Sequence, residues 1–124
     1  MDLLSLNPNT ITVDLKHPAT GAPLGVSVEL QSLESDAVKA VERQLKNKAL
    51  RAGRNTVTAE KIEDNTVAIL SAAIVSWVFS GEANLGGDKK PACTDANKRK
   101  LLAVPALAKQ IDSALGDDAA FFGN

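Results

Sequence analysis

VAILSAAIVSWVF, residues 67–79, is the stretch on which the fold of this 124-residue chain depends. Only two serines interrupt its apolar character. The largely charged segment 60–64 precedes it, and Thr58 before that segment is a suitable N-cap, so the sequence favours one helix over the whole stretch. Its β-branched residues leave a strand open for its middle part. A helix that is apolar on nearly all sides must be covered on most of them. We therefore predict a central apolar helix.

Three surroundings could cover such a helix: a bilayer, the rest of the chain, or a partner protein. The apolar part is about 20 Å long at roughly 1.5 Å per residue, which is short of the roughly 30 Å hydrocarbon layer and excludes a membrane span. The other two remain open. A core helix is the simpler interpretation, and it is compatible with spare apolar surface kept for a partner.

The composition is that of a single globular domain, with 44% hydrophobic and 23% charged residues. Aromatic residues make up only 3% and tyrosine is absent, so stacking platforms for bases or sugars are nearly lacking. A net charge of −1 gives no overall attraction to nucleic acid or membrane. The N-terminal MDLLSLNP lacks a basic region followed by an apolar run, so we expect no secretion signal and a cytoplasmic location.

Two alternating runs, TITVDLK (10–16) and GVSVEL (25–30), are separated by HPATGAPL, whose Pro and Gly residues stop a strand. They predict a β-hairpin over residues 10–30. A lone hairpin is marginal in water, so its apolar face must rest on helices or the hairpin must extend another chain's sheet. Both remain open at this stage.

Three more helices are predicted. The first helix covers residues 36–52, has an apolar stripe and ends at Gly53. The second is short and is capped by Thr94, and the third begins at Pro105. The glycine-rich stretch at about 81–93 is expected to be a flexible loop. The prediction is an α+β fold, mostly α, in which the hairpin (10–30) precedes a helical part (35–122) of about four helices around the central apolar helix.

The helix predicted at 36–52 is locally basic. The segment from Asp36 to Arg54 has six basic and two acidic residues, so its net charge is +4, whereas the net charge of the rest of the chain is −5. A solvated helix face explains this charge, and an acidic or phosphate-bearing partner is the functional alternative. A nucleic-acid-binding module is a third hypothesis and predicts salt-sensitive binding, although the lack of aromatic platforms argues against it. It would use Lys39, Arg43, Lys46, Lys48 and Arg51.

No catalytic, cofactor or metal site is predicted. The single cysteine, Cys93, has no companion for a disulfide or at metal-ligand spacing. The only histidine, His17, precedes a proline in a loop and is interpreted as a turn residue. Glu60, Glu63 and Asp64 crowd a helix start, where the dipole and solvation explain them. We predict that the protein is not an enzyme.

Several motifs follow one another in a distinctive order. The loop HPATGAPLG (17–25) leads into a strand and a helix start at Ser35-Asp36, and Trp77 closes the apolar stretch. Past a glycine-rich loop come Thr94-x-x-Asn97, Leu101-Leu102, Pro105, Gln110-Ile111 and Phe121-Phe122. Over about residues 10–122 this order and spacing resemble the small tail assembly chaperones of long-tailed (siphovirus-like) bacteriophages and prophages.

The resemblance implies a protein without catalytic activity that binds the tape-measure protein and helps to recruit tail-tube subunits, often through a frameshifted longer form. It implies a place in the host cytoplasm during phage assembly and absence from the mature virion. The alternative is a structural head–tail connector or minor tail protein of the virion, which would use the same surfaces permanently. Self-association into a homo-oligomer is compatible with both.

The predicted protein-binding surface joins the apolar stretch to the last helix and the tail. For the two tail phenylalanines, packing back onto the core and binding another protein both remain open. The predicted contact residues are Ile69, Leu70, Ile74, Trp77, Val78, Leu107, Ile111, Leu115, Phe121 and Phe122.

Overall fold

A computed structural model describes residues 9–53, 58–117 and 121 of the chain, with the side chain of residue 52 left out. The elements are β1 (Ile11–Lys16), β2 (Pro23–Leu30), α1 (Asp36–Ala52), α2 (Ala59–Ala73), β3 (Ile74–Phe79), α3 (Asp95–Leu102) and α4 (Pro105–Leu115). The predicted α+β class, with an N-terminal hairpin followed by four helices, is confirmed.

The hairpin forms where alternation predicts it. β1 and β2 are antiparallel, with Val13 opposite Val28. His17 organises the connection, since its N–H donates to the Ala22 carbonyl at 2.8 Å and its Nδ1 accepts from the Ala19 N–H at 3.1 Å. Buried side chains such as Leu15 show that the apolar face of the hairpin rests on the rest of the chain. Of the two alternatives for covering this face, the internal one holds.

The prediction that the central helix continues beyond Ala73 is wrong. α2 ends there, and Ile74–Phe79 instead forms β3, which pairs antiparallel with β2 in a sheet of order β1-β2-β3. Gln31, just after β2, binds the end of the helix: its N–H donates to the Ala73 carbonyl and its Nε2 to the Ala72 carbonyl, both at 2.8 Å. The β-branched residues that follow suit an extended backbone.

The sheet has one buried face and one polar face, as is common for antiparallel sheets. On the polar face, Glu29 accepts hydrogen bonds from the hydroxyls of Thr10 and Ser76 at 3.0 and 2.9 Å, and so ties the strands together. The helices supply the remainder of the core. Its buried members are Leu15, Val26, Val28, Leu30, Val38, Leu70, Ala73, Ile74, Leu101, Leu102, Ile111, Leu115 and Phe121.

The four helices begin at the positions that the sequence predicts. The side chains of Ser35, Thr58 and Thr94 accept hydrogen bonds from backbone N–H groups in the first turns of α1, α2 and α3, and Pro105 is the first residue of α4. Within the described ranges, no helix is long and apolar enough to cross a membrane.

Candidate protein-binding site

Half of the predicted contact residues belong to the core. Leu70, Ile74, Ile111, Leu115 and Phe121 are each at most 4% exposed, so they form no surface on the isolated chain. They come from α2, β3, α4 and the tail, and they pack together in the one hydrophobic core. The tail folds back at Phe121, whose carbonyl accepts the N–H of residue 9 at 2.7 Å. Phe122 lies outside the described residues.

The other four predicted contact residues are reachable but lie in different places. Ile69, Trp77 and Leu107 are half-buried, and Val78 is 65% exposed. The Trp77 indole N–H donates to the Pro91 carbonyl at 2.9 Å, and its ring meets that of Phe79 edge-on, with centroids 5.5 Å apart. Trp77 is therefore fixed in place by its own chain.

An open apolar groove of about 960 Å³ lies where the adjoining ends of β2 and β3 face the junction of α3 and α4. Leu107 is the only predicted contact residue that lines it among the residues described. Its apolar lining is completed by Pro23, Leu24, Val26, Phe79, Ala83, Leu85, Leu101 and Val104. Two charged residues, Glu82 and Lys100, also line it.

A close approach of two strands shapes one wall of the groove. The backbone N–H of Ser80 donates to the Gly25 carbonyl at 2.7 Å, and the Ser80 hydroxyl donates to the same oxygen at 3.1 Å. Gly25 has φ +82°, and a Cβ there would lie 2.6 Å from the Ser80 carbonyl oxygen. Only glycine meets both demands without displacing the backbone.

The loop after β3 places Leu85 against the groove. Leu85 and Asp88 form a backbone bridge around Gly86 and Gly87, whose φ angles of +62° and +96° are both positive. Such angles at both central positions characterise a tight type I′ turn, which glycine favours. The loop is therefore built around a local turn of its own.

The opposite wall is the junction between α3 and α4. Thr94 caps α3, and the Asn97 side chain donates to the Ala92 carbonyl at 2.8 Å, so Thr94-x-x-Asn97 fixes where the helix begins. α3 ends at Leu102, and only two residues separate it from Pro105, the first residue of α4. The junction leaves Val104 46% exposed on the groove.

Charged groups near α3 have distinct environments. Hydrogen bonds from Arg99 and Ser71 lower the pKa of Asp95 below its usual value, the Arg99 bond being the larger cause. Burial raises the pKa of the Cys93 thiol, and the positive charge of Lys98 opposes this only in part. A thiol held protonated is a weak nucleophile. Across the described residues, no group of three or more His, Cys, Asp or Glu side chains could hold a metal ion.

The basic helix presents its cations to solvent. Lys39 is shared between Glu34 at 3.8 Å and Glu42 at 3.6 Å, in pairs whose partners are all at least partly exposed. Exposed pairs of this kind add little to stability. This arrangement agrees with the solvated-face interpretation of α1.

Among the groove residues that sequence reasoning missed are Leu24, Leu85 and Val104. The Gly86-Gly87 pair carries a usable signal, because the Gly-Gly dipeptide marks a turn. Nothing local signals that Leu24 and Val104 line the same groove. Comparison of the chain with models of protein families, with curated proteins and with solved structures finds no significant match.

Proposed function

We propose that this protein is a tail assembly chaperone of long-tailed bacteriophages or prophages, which binds the tape-measure protein and helps to recruit tail-tube subunits to it. The observation that carries the proposal is the open apolar groove at the end of the sheet. The order of motifs along the chain, from the HPATGAPLG loop to the aromatic tail, supports the choice of family.

The groove suits a helical client with an apolar stripe. Its lining is mostly apolar, with Val104 and Leu107 on the α4 side and Leu24 and Leu85 facing them. Amphipathic helices commonly bind in such grooves by their apolar face. A tape-measure protein is a long, coiled-coil-prone chain with an extensive apolar stripe, so covering that stripe before assembly would keep it soluble.

In this proposal the protein acts without catalysis, works in the host cytoplasm during tail assembly and leaves before the virion matures. The raised pKa of the Cys93 thiol suits a role without a nucleophile. The charged surface of α1 keeps a protein with exposed apolar groups in solution.

Co-expression with the tape-measure protein encoded nearby tests the proposal. We expect the tape-measure protein to be soluble with the wild-type chaperone and insoluble without it. Val104→Glu should abolish this effect, because it places a carboxylate in the apolar groove. Leu50→Glu is the matched control, since Leu50 is 81% exposed on α1 and does not line the groove. Client solubility that is independent of this protein would refute the proposal.

Mass spectrometry of purified phage particles distinguishes the chaperone hypothesis from the alternative that the protein is a structural part of the virion. A chaperone should be absent from mature particles, whereas a head–tail connector or minor tail protein should be present in fixed proportion to the tail-tube protein. Detection at such a proportion would replace the proposed function by the structural alternative.

A further inference from the structure

β3 is an edge strand whose outward backbone groups have no partner in the described parts of the chain. The Ser80 N–H donates to the Gly25 carbonyl, and the register places Val26 opposite Phe79 and Val28 opposite Trp77. Hydrogen-bonded and non-hydrogen-bonded pairs alternate between antiparallel strands. The N–H and C=O groups of Trp77 and Phe79 therefore point away from β2.

The other edge of the sheet, along β1, is bound at its two ends by other parts of the chain. The Gln110 side chain binds both the N–H and the C=O of Lys16 on β1, at 2.9 and 2.7 Å. Beside the start of β1, the residue 9 N–H donates to the Phe121 carbonyl. β3 has no such bond at Trp77 or Phe79 within the described residues.

Apart from a register irregularity at its start, beside Glu29 and Leu30, β3 lacks the features that keep edge strands from pairing. Its sequence IVSWVF has no charge, proline or glycine. Val75 and Val78 are 43% and 65% exposed. An open groove of about 250 Å³ runs beside Trp77, Val78 and Phe79, with Lys90 and Pro91 on its far side.

We propose that β3 pairs antiparallel with β3 of a second copy of this chain, so that one sheet continues across both copies. The proposal goes beyond the proposed function and does not depend on it. A twofold axis at Val78 places the two Val78 side chains opposite each other as a non-hydrogen-bonded pair, where side chains are closest. Trp77 of each copy then lies opposite Phe79 of the other, and these pairs exchange the backbone hydrogen bonds that β3 leaves unmade.

A second copy fits this edge because the strand is complementary to itself. The twofold pairing opposes valine to valine and aromatic to aromatic, and no charge meets a like charge. Aromatic and β-branched cross-strand pairs are the favourable ones in antiparallel sheets. The most exposed side chain of the strand, Val78, is covered by the same contact.

The solution mass of the purified full chain gives the first test. We expect twice the chain mass of 13.0 kDa for wild type. Val78→Lys should weaken association by about tenfold or more, because it places two like charges opposite each other. Thr12→Lys is the matched control: it adds the same charge to the exposed face of β1 and should leave the dimer intact. A monomeric wild type, or a Val78→Lys dimer of unchanged affinity, overturns the proposal.

Crosslinking tests the register in a Cys93→Ser background. Val78→Cys should form a disulfide-linked dimer under mild oxidation, since non-hydrogen-bonded pairs bring Cα atoms to about 4.5 Å, which is within the range of a disulfide. Thr12→Cys, on the exposed face of β1 and away from β3, should stay monomeric on a non-reducing gel. Equal crosslinking of both variants would mean random collision, and no crosslinking through position 78 would reject the twofold pairing. The twofold pairing would also be rejected if the chain were monomeric and its β3 paired with a strand of a different protein.

Discussion

Gln110 on α4 binds both backbone groups of Lys16 on β1: its Oε1 accepts the Lys16 N–H at 2.9 Å, and its Nε2 donates to the Lys16 carbonyl at 2.7 Å. A neighbouring strand would satisfy the same two groups, so one glutamine side chain takes the place of a strand at this point. The contact spans 94 residues of sequence and attaches the last helix to the hairpin.

Gln110→Ala should therefore lower the free energy of unfolding by about 1–2 kcal/mol, because it removes two hydrogen bonds at a partly solvated site. Urea denaturation at neutral pH measures this. Lys109→Ala, next to it on the exposed side of α4, should change stability by less than about 0.5 kcal/mol. Equal effects of the two substitutions would show that the paired hydrogen bonds do not contribute.

Gly25 and Gly21 form a matched pair for separating backbone strain from steric contact. Both have positive φ, +82° and +73°, but a Cβ at Gly25 would lie 2.6 Å from the Ser80 carbonyl oxygen, whereas nothing lies within 4 Å of one at Gly21. Gly21→Ala should cost about 1–2 kcal/mol for the left-handed backbone alone. Gly25→Ala should cost at least about 1 kcal/mol more, because β2 and β3 must move apart. Thermal unfolding of the two variants gives the comparison, and equal melting temperatures would contradict it.

Local sequence patterns predicted the hairpin and the starts of the helices, because alternation and capping act over a few residues. Ser35, Thr58 and Thr94 cap the helices that their positions predicted. The end of α2 was not predictable in this way. It depends on Gln31, about 40 residues earlier, which reaches the last carbonyls of the helix only in the folded chain.

The candidate site was predictable only in part for the same reason. Leu107 was identified from its place in an apolar helical stripe, which is a local signal. Leu24 and Leu85 join it in the groove through contacts between distant segments. Conversely, the burial of Phe121 could not be distinguished from exposure, since an aromatic residue in a polar tail fits both states.

Gln31 should be important for the change from helix to strand at Ala73. Gln31→Ala leaves the half-buried Ala72 carbonyl without its side-chain donor, which should cost about 1–2 kcal/mol. Hydrogen exchange should become faster in the last turn of α2 and in β3, and remain unchanged in α4. Gln44→Ala, at an exposed position of α1, is the control. A loss of protection spread evenly over all helices would argue against a local role for Gln31.

Asp95 should make stability depend on pH in the acidic range. Its carboxylate accepts hydrogen bonds from Arg99 Nε and the Ser71 hydroxyl, both at 3.0 Å, and these bonds lower its pKa from the usual 3.8. A carboxylate whose pKa is lower in the folded state stabilises the fold above its unfolded pKa. That stabilisation is lost as the pH falls through the lowered value. Because Asp95 is exposed, solvent screening keeps its contribution small.

Asp95→Asn should therefore reduce the free energy of unfolding at about pH 7, and the reduction should shrink as the pH falls below the unfolded pKa and the wild-type carboxylate becomes protonated. The comparison is made at about pH 7 and at about pH 2. Urea denaturation at the two pH values measures the difference. Asp112→Asn, an exposed position on α4, controls for general loss of negative charge. If the Asp95→Asn difference were the same at both pH values, the effect would come from packing or capping of α3, and the charged pair with Arg99 would contribute nothing to folding.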